Sequence, residues 1–199
     1  MYRLLLITLH CRSRSIVLLT VDADSRMSLE RTLTTALDYF SICSLGDDRF
    51  AVTAWDVDQP PTRIIDTQGN EDDFQLIKFP EKMHKTRVSR CEYHPTSKTL
   101  VWTDGDIIHI VNTTSGTTTT VTDTRIHGTI EVAVGPVGYI YVSSSDTNSV
   151  VCISPRGNVI ASFSVGLKPS AISVSDDGNI IVSSLNGEIQ LYTIINKDA

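Results

Sequence analysis

The 199-residue sequence contains no Cys-x-x-Cys pair, no GxSxG elbow, no HExxH helix, no glycine-rich phosphate loop and no EF-hand loop. These absences exclude the common zinc ribbons, serine hydrolases, zinc proteases, nucleotide-binding loops and calcium sensors. No apolar run approaches the roughly 18 residues that a membrane-spanning helix needs. The opening Met1-Tyr2-Arg3-Leu4-Leu5-Leu6-Ile7-Thr8-Leu9 looks like the start of a signal peptide, but it stops within nine residues at His10-Cys11-Arg12. A strand that ends at a polar turn accounts for the same residues. Four cysteines, Cys11, Cys43, Cys91 and Cys152, lie far apart, which is no disulfide framework. A reducing, cytoplasmic setting is the simpler expectation. The net charge of −6 argues against a surface built throughout to hold nucleic-acid phosphates.

What the sequence does contain is repetition. Ile140-Tyr141-Val142-Ser143-Ser144 returns 40 residues later as Ile180-Ile181-Val182-Ser183-Ser184. A repeat of that length with room for four strands predicts an all-β protein, a β-propeller of four-stranded antiparallel blades. Anchoring each blade on its second strand places Phe50, Leu100, Ile140 and Ile180 at intervals of 50, 40 and 40 residues. The double proline Pro60-Pro61 cannot sit in a central strand, so the longer interval holds a surface loop. Asp104-Gly105 and Asn186-Gly187 supply the positive φ of tight hairpin turns.

On this pattern the chain is one propeller domain with three full blades, 38–80, 85–123 and 126–165, and two partial ones, 1–37 and 168–194. The first blade lacks its innermost strand. Its outer strand is expected over Glu30–Thr35, although Leu29, Leu33, Ala36, Leu37 and Phe40 also satisfy helical spacing. An open ring would leave apolar faces bare. Either the ring closes at five blades or the natural chain extends further.

Cys43 and Cys91 align with Val132 and Ile172 and are expected at equivalent core positions, as small hydrophobes. The binding candidates lie in the segment 78–90, where Lys78, Lys82, Lys85, Arg87 and Arg90 face only one acid, Glu81. That segment links an outer strand to the next inner one, so its cations suit an acidic protein partner or, alternatively, RNA phosphates. A solvated loop is the plain reading of the same charges. Arg90 and Glu92, with Glu131, are charged where other blades carry small residues near the axis. Such charges must pair with neighbours or line a wet channel. His84, Cys91 and His94 match no zinc spacing, and Asn112-Thr113-Thr114 would be a glycosylation acceptor only in a secreted protein. No metal, cofactor or catalytic residue is expected, and the chain is expected not to be an enzyme.

Asp146-Thr147-Asn148-Ser149-Val150-Val151, preceded by Ile140-Tyr141-Val142 and followed by Pro155-Arg156-Gly157-Asn158, resembles the NHL repeat. NHL repeats form six-bladed propellers at the C-terminus of tripartite-motif proteins. The resemblance implies a piece of a six-bladed ring that recruits a protein partner or an RNA, while a RING domain elsewhere engages ubiquitin machinery. No RING ligand spacing occurs in these residues. Leu100-Val101-Trp102-Thr103-Asp104 resembles instead the YWTD repeat of lipoprotein-receptor propellers. A gluconolactonase-type propeller hydrolase is a further alternative, but it needs several inward-facing metal ligands, and the inner strands supply few.

Overall fold

The computed structural model describes residues 4–10, 14–46, 48–54, 62–79 and 90–193, and among them every regular element is a β-strand. No helix there is long and apolar enough to cross a membrane. The strands form five antiparallel sheets. The first holds β1 (Leu4–His10), β2 (Ser15–Val21) and β3 (Met27–Thr34). The second holds β4 (Tyr39–Gly46), β5 (Arg49–Ala54), β6 (Thr62–Asp66) and β7 (Glu71–Asp73). The third runs through β8 (Cys91–His94), β9 (Thr99–Asp104), β10 (Ile107–Asn112) and β11 (Thr118–Val121). The fourth has β12 (Thr129–Val134), β13 (Ile140–Ser144), β14 (Ser149–Ile153) and β15 (Val159–Ser164), and the fifth has β16 (Pro169–Val174), β17 (Asn179–Ser184) and β18 (Ile189–Thr193). Each sheet is a plain meander, as a propeller blade requires.

The 40-residue period sets this architecture. Phe50, Leu100, Ile140 and Ile180 all lie on the second strand of their sheets, paired on one side with Ser44, Tyr93, Val134 and Val174 and on the other with Ile65, Val111, Ile153 and Tyr192. All four are buried. The core is split into four apolar layers, one between each pair of successive sheets. Alternation along each strand sends one set of side chains to the preceding sheet and the other to the following one, so both faces must be apolar.

The innermost strands β4, β8, β12 and β16 stand side by side around the axis. In the first sheet β1 lies against β4 much as β5 lies against β8, which is the place of a second strand. Among the described residues this sheet has three strands, β1 to β3, and no innermost one. β3 is a strand and not a helix: Leu33 is buried at 4% exposure while Leu29 stands at 65%, so the helical spacing is not used.

Two expectations are corrected. The outer strand of the second sheet is the three-residue β7, not 73–77. Arg63 pairs with Glu71 and Asp73 at 2.8 Å each and ends the ladder there. Phe74, Ile77 and Phe79 then turn into the apolar layer against the third sheet. Cys43 and Cys91 are both in the core, but not at equivalent positions. Cys43 pairs with Ala51, one residue past the Phe50 anchor, whereas Cys91 pairs with Trp102, two past Leu100. That single step turns Cys43 toward the third sheet and Cys91 back toward the second.

Candidate functional site at the propeller axis

A β-bulge recurs near the start of the innermost strands, between Tyr39 and Ser41, Thr129 and Val132, and Pro169 and Ala171. A bulge leaves a residue outside the ladder and re-aims the chain around it. The extra residues include Phe40 and Ile130, and both of their carbonyls are met by one side chain. Arg90 donates through Nη1 to Phe40 O at 3.2 Å and through Nε to Ile130 O at 3.3 Å. Its guanidinium also lies 4.7 Å from the centre of the Phe40 ring and 3.4 Å from Glu131 Oε2. Arg90 therefore ties the second, third and fourth sheets together at the axis. Two of its five N–H donors are engaged in this tie.

Arg90 and Glu131 are repeat equivalents. The Arg90 amide donates to Thr103 Oγ1 at 2.9 Å, and one repeat later the Glu131 amide donates to Ser143 Oγ at 2.8 Å. One position of the repeat thus carries opposite charges on adjacent sheets, which then pair. Glu92, on β8, joins them from the side. Burial first, and the charge of Glu131 second, push the Glu92 carboxyl up to about 7. Burial likewise raises Glu131, against the opposing pull of Arg90. Two carboxyls and one guanidinium at a partly buried axis cannot all be charged cheaply, and the Glu92 carboxyl is the one whose protonation is most favoured. It can donate a hydrogen bond as well as accept one.

Beside this cluster lies a polar rim. His127 Nδ1 sits 3.4 Å from Asp106 Oδ2 and 3.3 Å from Asp146 Oδ2, and Lys168 Nζ lies 3.7 Å from Asp146 Oδ1. The Thr129 amide donates to Asp106 Oδ1 at 3.1 Å, which connects the rim to β12. Gly128 has φ +65°, a backbone that other residues resist, and a Cβ there would fall 2.6 Å from the Asp146 carboxyl carbon and displace that side chain. Sequence reasoning passed over these residues. The 40-residue spacing of Asp106 and Asp146 in matching turns was the available signal.

Lys78 is exposed just beyond β7, while Lys82, Lys85, Arg87 and His84 lie outside the described residues. His94 is held between Ser97 Oγ at 2.7 Å and Pro136 O at 3.0 Å, on the far end of β8 from Arg90. A cavity of about 260 Å³ opens beside it between the third and fourth sheets. The Asn112 side chain is engaged in its turn, with Oδ1 accepting from the Thr114 and Ser115 amides and Nδ2 donating to Ser97 O. Asp177 bonds to Ser175 and Asn179, the turn role read from the sequence.

No family model matches the sequence, and no curated protein matches it as a relative. Solved structures do share the fold. Virginiamycin B lyase from Staphylococcus aureus is 14% identical, with a TM-score of 0.64 over 96% of this chain and 70% of its own. A nidogen/laminin complex is 11% identical, with a TM-score of 0.63 over 92% of this chain and 73% of its own. A structure of YCF48 bound to D1 peptide is 11% identical, with a TM-score of 0.58 over 93% of this chain and 58% of its own. At these identities the likeness is one of fold, and it supports a β-propeller without singling out the tripartite-motif kind. It also corrects the expectation that the chain is not an enzyme: the fold is shared with a lyase, so missing hydrolase and protease motifs do not set this chain apart from enzymes. The chain is similar, then, to β-propellers whose members include a lyase and proteins solved with protein or peptide partners.

Proposed function

We propose that the protein is a recognition propeller that takes an acidic segment of a protein partner at the axial end where its innermost strands begin. The observation that carries the reading is the convergence there of Arg90, Glu92 and Glu131 from two sheets, at the end of the basic segment. Arg90 fixes the start of β8, and with it the end of the basic segment. Lys78, Lys82, Lys85 and Arg87 supply the cations that meet the partner's carboxylates, and the Glu92 carboxyl, when protonated, adds a donor at the axis. Two of the structures that share the fold were solved with protein or peptide partners, which supports this class of ligand. The finer reading, a propeller that recruits substrates for a ubiquitin ligase, rests on the NHL resemblance of 129–165 alone. RNA draws no support from the comparisons.

Selection from a displayed random-peptide library against the immobilised protein tests the proposal. Acidic peptides should be enriched, and their affinity should fall about tenfold or more on replacing Lys82, Lys85 and Arg87 together by alanine, and steeply with added salt. Enrichment of apolar peptides that bind the triple variant equally well, at any salt, would rule it out.

A further inference from the structure

The one-residue offset between Cys43 and Cys91 has a chemical consequence. Had the two been true repeat equivalents, each would face the same way around the ring and their sulfurs would never meet. Instead Cys43 projects forward from β4 and Cys91 projects backward from β8, into the same apolar layer. Both side chains are packed in that layer, near enough for each to affect the other's ionisation. Cys91 Sγ also lies 3.7 Å from the carbonyl oxygen of Ala51, the residue directly opposite Cys43, and 3.7 Å from Ser41 Oγ. The Cys91 amide donates to the same Ser41 Oγ at 3.1 Å, so the backbone at both ends of the pair is fixed by the sheets that carry it.

We propose that Cys43 and Cys91 form a peroxide-sensitive pair that closes into a disulfide between the second and third sheets. One sulfur, as thiolate, attacks an oxygen of hydrogen peroxide; the O–O bond breaks and the departing hydroxide takes up a proton as water. The second sulfur then attacks the resulting sulfenic acid and displaces a second water. Two thiols lose two electrons and two protons in all, and one peroxide becomes two waters. Both cysteines are nearly inaccessible, at 7% and 3% exposure, which restricts attack to small oxidants such as hydrogen peroxide. The contact with Cys91 and the burial both keep the Cys43 thiol protonated, and the Glu92 charge adds to this, so closure is slow. Closure would join by a covalent bond two blades that otherwise touch through apolar packing, beside the Arg90 tie.

The test is to treat the folded chain with hydrogen peroxide, block remaining thiols and digest with trypsin. The expected product is a disulfide joining peptide 32–49 to peptide 91–98, two hydrogens lighter than the pair, with the thermal midpoint of the intact protein raised. In Cys43→Ser and Cys91→Ser the cross-link should vanish, while exposed Met27 oxidises to the same extent as in wild type. Free Cys43 and Cys91 after Met27 has been oxidised would overturn the proposal. So would a cross-link through Cys11 or Cys152, or conversion of Cys43 or Cys91 to sulfinic acid. Retention of the far-ultraviolet circular dichroism spectrum during treatment establishes that the folded state is the one tested.

Discussion

Glu92 is the residue on which the electrostatics of the axis turn. Its folded carboxyl titrates at about 7, above the ordinary value of 4.5, so folding favours the protonated form. The associated stability is complete below pH 4.5 and is lost as pH rises through 7. Glu92→Gln keeps the shape and removes the charge. It should therefore stabilise the protein by up to about 3 kcal/mol at pH 8 and hardly at all at pH 4.5, as read by urea unfolding at the two pH values. A gain of equal size at both would mean that Glu92 is not titrating in this range. Trp102 makes a different residue-level case. Its indole Nε1 is buried without a partner, as is Nε2 of His109, whose ring stacks on it at 4.7 Å. An orphaned donor costs about 1–3 kcal/mol, which offsets part of what the large ring contributes. Trp102→Phe should fall within about 1 kcal/mol of wild type, whereas Trp102→Ala should lose about 3–5 kcal/mol. A loss in the phenylalanine variant as large as in the alanine variant would show that the N–H is satisfied after all.

At the scale of elements, turns do more than reverse strands; some press against the next blade. Gly116, in the turn between β10 and β11, has φ +72°, and a Cβ there would lie 2.2 Å from the Leu76 carbonyl oxygen. Gly178 has nearly the same backbone, φ +82°, but open space around it. Alanine at 178 pays only for the left-handed backbone, about 1 kcal/mol, while alanine at 116 must also displace main chain, for about 3 kcal/mol or more. Thermal unfolding of the two variants side by side measures the difference, and equal losses would contradict the contact. This scale also marks the limit of what the sequence discloses. The anchors Phe50, Leu100, Ile140 and Ile180 were legible because a strand buried on both faces writes a continuous apolar run. The bulges were not, because an extra residue in a ladder leaves no compositional trace. Missing a bulge between Ser44 and Gly46, which takes Leu45 out of the β4 ladder, made Cys43 and Cys91 look equivalent, and missing those at Phe40 and Ile130 hid that Arg90 serves their carbonyls. The short β7 was hidden for a similar reason: the chain leaves the sheet when Phe74 and Ile77 find a better-buried place against the third sheet.

Across the whole molecule, four apolar layers hold five sheets around one axis, and polar groups collect at the end where the innermost strands begin. Opposite charges at one repeat position tie the third and fourth sheets together, and the basic segment ends at the same place. At the other end, the His94 side chain and its neighbours bond mainly to one another around the small cavity. The propeller is thus asymmetric end to end, and the account assigns recognition to the Arg90 end. Hydrogen–deuterium exchange, with and without an acidic peptide taken from the display selection, addresses that assignment directly. Slower exchange confined to the basic segment 78–90, β8, the first half of β12 and the turn that carries Asp106 is the predicted result; slowing around His94 and Gly138, with β12 and the basic segment unchanged, would contradict it.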